Sequence, residues 1–209
     1  MRGAIAIQKL VEDFRFDRVL DIGMGAGEQS NFFLDRGKTV CGVDLCRSAH
    51  YRASKVFPNG RERFSLLTGD FMGIPQEQLG TFDCVWACHI LEHALSPVAF
   101  LRKMLLSANT GGVVAIVVPP PHDTLLGGHL NLYNAGQVAY QMVMAGFNCA
   151  EAKIHTDQHD IAVIAPVNPI ESLGDLDMDT GDIRRLAPFL PPIFRQEGCN
   201  AKFIGEYNW

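Results

Sequence analysis

Short apolar runs recur along the chain, at residues 40–43, 64–67, 81–87, 113–118, 149–155 and 161–165, after a first run that starts at Val19. Each is closed by glycine, aspartate, proline or a polar turn, which is how strands are punctuated. Between them lie segments with apolar residues three or four apart, the helical period. One begins with Ser96 as cap and Pro97 as first residue, buries Val98, Leu101 and Leu105 on one face, and is expected to stop at Gly111 and Gly112. Another starts at Asn134 with Gln137 at the capping-box position, carries Val138, Met142 and Ala145 as its stripe, and ends at Gly146. Strands alternating with helices predict an α/β fold. The run 113–118 is apolar at every position, as a central strand covered on both faces must be, so the sheet is expected to be doubly wound and mostly parallel. The polar turn 156–160 is too short for a crossover, so the last strand should run antiparallel to its neighbours.

The first run ends in the most informative stretch of the chain, Val19-Leu20-Asp21-Ile22-Gly23-Met24-Gly25-Ala26-Gly27. A strand that opens through glycines into a helix brings bare backbone close to a polar cofactor. The dinucleotide spacing G-x-G-x-x-G would require a third glycine where this chain has Glu28, and an acid there repels a pyrophosphate. It suits a cofactor without phosphate and with a cationic amino-acid end. The block resembles the glycine-rich motif of the class I S-adenosylmethionine-dependent methyltransferases.

Further landmarks follow in that family's order. Asp44 closes the second strand candidate about 20 residues after the loop, where an acid reaches a ribose. Thr68-Gly69-Asp70-Phe71 follows the third, Phe82-Asp83 opens the fourth, and His89-Ile90-Leu91-Glu92-His93 carries a Leu-Glu-His signature common in one large branch of these enzymes. The resemblance covers roughly residues 10 to 165. It implies S-adenosylmethionine as cofactor and a Rossmann-like, seven-stranded sheet with one reversed strand. The methionine end would lie against Asp21, Gly23, Gly25 and Gly27, the ribose against Asp44 with Leu45 beside it, and the adenine against Asp70 and Phe71.

Composition bounds this reading. A chain of 209 residues that is 47% hydrophobic builds one sizeable core. Residues 1–165 are expected to form the cofactor domain. Residues 166–209, crowded with Asp175, Asp177, Asp179 and Asp182 and then broken by Pro188, Pro191 and Pro192, would pack on it as lid, edge cover or homodimer contact. Net charge of −5 disfavours nucleic acid as partner. No apolar run approaches the ~18 residues of a membrane span, and the run 4–7 is too brief for a signal core, so a cytoplasmic location is expected. Six cysteines without a C-x-x-C pair read as reduced thiols.

The sulfonium methyl is already activated, so the protein must align acceptor and methyl, exclude water and remove a proton where the acceptor holds one. Histidine is the commonest base. His129, in Gly128-His129 after the fifth strand, is the first candidate, and His89, just beyond the fourth strand, the second. The segment Gly127 to Phe147 resembles a region of bacterial methyltransferases acting on sugars, quinone precursors and other small metabolites. His122 ranks behind these two; His50, His155 and His159 read as surface or turn residues. His89-x-x-Glu92-His93 also matches a zinc pattern of one protease group, but its context is wrong for that group, and no metal is expected. The expected function is methylation of a small polar metabolite, most plausibly O-methylation of a sugar or saccharide intermediate, with residues 119–133 and the C-terminal tail as acceptor wall. A non-catalytic S-adenosylmethionine-binding partner is the alternative; a nicotinamide oxidoreductase is disfavoured by Glu28.

Overall fold

The computed structural model describes residues 1–46 and 61–209. In chain order the elements are α1 (Ala4–Asp13), β1 (Arg18–Ile22), α2 (Glu28–Asp35), β2 (Thr39–Asp44), β3 (Phe64–Thr68), α3 (Gln76–Leu79), β4 (Phe82–Cys88), α4 (Pro97–Leu106), β5 (Ala108–Val118), α5 (Ala135–Met144), β6 (Lys153–Thr156), β7 (Ile161–Pro166), α6 (Asp182–Leu186) and β8 (Gly205–Tyr207). Among the described residues one sheet holds all the strands, in the order β3-β2-β1-β4-β5-β7-β6-β8. β7 runs antiparallel to both β5 and β6, as the short turn before it requires.

The side-chain period of two divides the core between the faces. Leu20, Ile22, Val85, Ala87, Val114 and Ile116 meet Phe100, Leu101 and Met104 of α4 and Val138 and Met142 of α5 on one side. Val19, Cys84, Trp86, Val113 and Ala115 meet Ile7 and Leu10 of α1 and Phe33 of α2 on the other. Trp86, fully buried, packs edge-on to Phe33 with centroids 6.1 Å apart. Residues of this size each contribute roughly 1.5–3 kcal/mol when buried. Among the described residues no helix is long and apolar enough to cross a membrane.

Three expectations change. The sheet has eight strands, and two of them are reversed, because the C-terminal segment supplies β8 against β6. The same segment sends Leu186, Leu190 and Phe194 into the core. Gly111 and Gly112 do not stop α4, which ends at Leu106; they form an irregularity inside β5, whose partner register shifts between Phe82 and Cys84. There Gly112 lies so close to β4 that a Cβ would sit 2.5 Å from the Asp83 carbonyl oxygen. Finally, Asn134 caps α5 by accepting from the Gln137 N–H, but the Ser96 side chain makes no such bond to α4, whose start rests on Pro97.

The Phe-Asp landmark has a structural task. Asp83 accepts the N–H groups of Asp17 and Arg18 (3.1 and 3.0 Å) and the Asn109 amide (2.9 Å), tying β1 and β5 to β4 at the edge opposite the site. Those bonds, led by that from Arg18, hold its carboxyl below the usual range.

Candidate functional site

β1 and β4 are adjacent, yet β1 continues towards β2 and β4 towards β5. Ligands of open α/β sheets bind at such a reversal, beyond the carboxyl ends of the strands. A cavity of about 500 Å³ opens there. Gly23, Asp44, Leu45, Asp70 and Phe71 line it, with Ile90, Ala94, Leu95 and Phe100 as an apolar wall. That wall, from the turn after β4 and from α4, left no polar signal in the sequence.

The glycine loop does less for a ligand than its bare backbone suggests. Gly23, Gly25 and Gly27 all have positive φ (72°, 55° and 85°). The Gly23 N–H donates to Val43 O (2.8 Å) and the Gly25 N–H to Asp44 Oδ2 (2.9 Å), so both donors are engaged within the protein. Asp44 Oδ1 accepts from the Cys46 N–H (2.8 Å). The carboxylate is thereby oriented at the cavity wall, with lone pairs left over. At Gly23 a Cβ would lie 2.9 Å from Ile90 Cδ1, so the residue is small because the wall passes over it.

Asp21 does not line the cavity, nor do Gly25 and Gly27. It is 2% exposed and accepts from Ser30 Oγ at 2.5 Å. Burial pushes its pKa up to about 6, against the opposing hydrogen bond from Ser30 and with a further rise from the Asp44 charge. Asp70 accepts from the Met72 N–H (3.0 Å), which turns the chain so that Phe71 packs on Phe100 with centroids 5.1 Å apart.

A second cavity of about 730 Å³ adjoins the carboxyl ends of β4 and β5. His89, His122 and His129 line it, together with residues 119–121, the turn 157–160 and the chain start at Met1, Arg2, Ala4 and Ile5. The C-terminal segment contributes no lining residue there; the N-terminal residues, which the sequence reading passed over, take the place expected for it. His159, an exposed residue of the turn as expected, lies on this wall too.

His89 has φ 53°, unusual for a residue with a Cβ. Its N–H donates to Val117 O (2.8 Å), and Nε2 lies 2.7 Å from Asp160 Oδ1. Arg2 Nη1 is 3.3 Å from Nδ1. Arginine can only donate, so Nδ1 is the accepting nitrogen and Nε2–H the donor to Asp160. Burial acts to raise the Asp160 pKa, but bonds from His89 and the Gly3 N–H outweigh it and leave the carboxyl below its ordinary value. His129 Nδ1 has no such partner among the described residues, and its ring stands between those of His93 (centroids 5.0 Å) and His122 (5.5 Å). His155, expected as a surface or turn residue, is instead buried in β6, where it bonds Asp157 at 3.1 Å, and His50 lies outside the described residues.

With this geometry established, known proteins supply the context. Residues 20–116 match a family model described as a methyltransferase domain. The ubiquinone biosynthesis O-methyltransferase of Bordetella bronchiseptica is 30% identical over 113 residues, 52% of this chain and 45% of the relative. The chain thus matches about half the length of such curated relatives. Among solved structures, a SAM-dependent methyltransferase from Aquifex aeolicus superposes with a TM-score of 0.63 at 20% identity, over 78% of this chain and 89% of that one. The Burkholderia thailandensis 1,6-didemethyltoxoflavin-N1-methyltransferase, solved with bound 1,6-didemethyltoxoflavin and S-adenosylhomocysteine, gives 0.65 at 16% identity over 80% and 78%. The strand order and these superpositions show that the chain has the fold of S-adenosylmethionine-dependent methyltransferases, and its residues 20–116, which hold the glycine loop and Asp44, are similar to the methyltransferase domain.

Proposed function

We propose that the protein transfers a methyl group from S-adenosylmethionine to a hydroxyl oxygen of a small polar metabolite, a sugar or saccharide intermediate. The observation that carries this reading is the pairing of the two cavities. One offers a carboxylate in Asp44 and a ring-sized apolar slot at Phe71 and Phe100; the adjoining one is walled by Arg2, His89, His122, His159 and Asp160, groups that bond hydroxyls. Asp44 binds the ribose hydroxyls, Asp70 and Phe71 the adenine, and Gly23 lets the methionine part lie against the backbone. Oxygen is also the acceptor atom in the name of the Bordetella relative.

His89 is better placed as base than His129, because Asp160 orients its ring and stabilises the imidazolium. An acceptor hydroxyl takes the place of Arg2 at Nδ1. As the oxygen attacks, the C–O bond forms, the S–C bond breaks, the hydroxyl proton passes to Nδ1, and S-adenosylhomocysteine leaves.

Calorimetry and a product assay test this. Asp44→Ala should weaken S-adenosylmethionine binding about tenfold or more, since charge-assisted hydrogen bonds are lost. S-adenosylhomocysteine release should rise with hydroxylated sugars, and His89→Ala should reduce it roughly 10²–10⁴-fold at saturating cofactor. Failure of the wild-type chain to bind S-adenosylmethionine would overturn the proposal.

A further inference from the structure

The turn Leu91–His93 separates the two cavities, and its central carboxylate is buried without a hydrogen bond. Glu92 is 1% exposed, and among the described residues neither Oε1 nor Oε2 has a hydrogen-bond partner. A buried carboxylate so placed demands a counter-charge or another ligand. Around it stand imidazoles. His93 Nε2 is 3.8 Å and His89 Nδ1 3.7 Å from Glu92 Oε1. One donor atom each of Glu92, His93 and His129 fall within 4.8 Å of one another. His129 Nδ1 is also buried without a partner among the described residues.

The surroundings hold these groups in place. His93 Nδ1 is 2.7 Å from the Gly128 carbonyl oxygen. A carbonyl only accepts, so the proton sits on Nδ1 and Nε2 keeps its lone pair, the state a metal-ligating imidazole requires. The next residues are sewn to the same turn: the N–H groups of Leu130 and Asn131 donate to the Glu92 carbonyl (2.8 and 3.1 Å), and the Asn131 amide donates to Ala94 O (2.8 Å). The loop that delivers His129 is therefore fastened to the element that carries Glu92 and His93. At Gly128, with φ 83°, a Cβ would meet His93 Nδ1 at 3.1 Å, so this approach requires glycine.

We propose that Glu92, His93 and His129 bind one divalent transition-metal ion, of the zinc or manganese class, at the junction of the cofactor and acceptor cavities. One carboxylate with two imidazoles suits such ions; magnesium and calcium favour an all-oxygen set. Three protein ligands leave positions open, as in catalytic sites. Since His93 lines the cofactor cavity and His129 the acceptor cavity, those positions take an oxygen donor of the acceptor, favouring one that presents two neighbouring hydroxyls. The sequence expectation of no metal rested on the wrong context of the His89-x-x-Glu92-His93 pattern for its protease group; the cluster proposed here is a different one, in which the loop after β5 brings His129 to Glu92 and His93. The ion-binding claim stands on the cluster alone, and only its consequence for the acceptor rests on the methyltransferase reading.

The test uses the full chain, stripped with a chelator and titrated calorimetrically with zinc and with manganese chloride, without cofactor or acceptor. One ion per chain is expected. Glu92→Gln and His129→Ala should each weaken binding by about 100-fold or more, above the usual effect of losing a mere orienting group. Asp179→Asn, at an exposed residue of the separate Asp177, Asp179 and Asp182 cluster, should leave stoichiometry and affinity unchanged. Cobalt(II) should give visible ligand-field bands that His129→Ala abolishes. S-adenosylmethionine titration of the same samples reports folding of each variant and tests the cofactor reading separately. Absence of stoichiometric binding by a wild-type chain that binds S-adenosylmethionine, or unaltered binding by Glu92→Gln, would overturn the site. Ion binding without S-adenosylmethionine binding would leave it standing while removing the methyltransferase proposal.

Discussion

Asp21 holds a carboxylate inside the core, and replacing it by asparagine should stabilise the unliganded protein at neutral pH. Its folded pKa of about 6 compares with an ordinary 3.8, and desolvation is the main cause. Between those values the folded state binds more protons than the unfolded one, so stability falls as pH rises through this window. A shift of this size means that charging the group inside the fold costs about 3 kcal/mol. Between about pH 4.5 and 7.5, linkage makes the wild type lose about 2 kcal/mol from this group alone. Asparagine keeps the shape and the acceptor for Ser30 but has no charge to bury. Whatever constant packing cost it carries, its stability relative to wild type should improve by about 2 kcal/mol over that range. Urea unfolding of both proteins at several pH values, followed by tryptophan fluorescence, measures the difference. A gap independent of pH, or one that widens against asparagine at higher pH, would refute the burial argument. A functional cost should accompany the gain. A cationic cofactor favours the ionised carboxylate, so wild-type affinity for S-adenosylmethionine should rise as pH passes about 6, and Asp21→Asn should flatten that rise.

Two further predictions concern the frame of the site. Asp83→Ala removes the acceptor that joins the starts of β1 and β5 to β4, and should lower unfolding free energy by about 1–2 kcal/mol in urea; because the folded carboxyl titrates below its ordinary range, its contribution is present above that range and should fade on acidification through it. Gly23→Ala puts a Cβ at φ 72° and against Ile90, which should cost roughly 1–2 kcal/mol in backbone strain alone plus the displacement of Ile90; a lower melting temperature and weaker cofactor binding are expected, and adding Ile90→Ala should restore part of the stability through non-additivity.

Much of the fold is legible along the chain because it rests on local rules. Alternating periods mark β1 to β5 and the helices between them, and the uninterrupted run 113–118 marks a central strand. The short 156–160 turn dictates that β7 reverses. Asp44, Asp70 and Phe71 are readable because the first closes a strand and the other two come within three residues of a strand's end, and in a parallel sheet all such positions gather at one edge. The strand β8 is not readable: Gly205–Tyr207 is too short and too polar to announce itself, and it is a strand only because the β6 edge offers hydrogen bonds. Likewise Asp21 sits in the motif like a ligand contact, and only packing turns it inward to Ser30. The tertiary structure alone decides how the histidines divide. Asp160, 71 residues from His89 in sequence, orients that ring, while the loop at Gly128 carries His129 to Glu92 and His93. Sequence spacing determines what shares a strand end or a helix face. Which side chains meet across the sheet's edge depends on loops whose paths are set by long-range hydrogen bonds, and these leave no periodic trace in the chain.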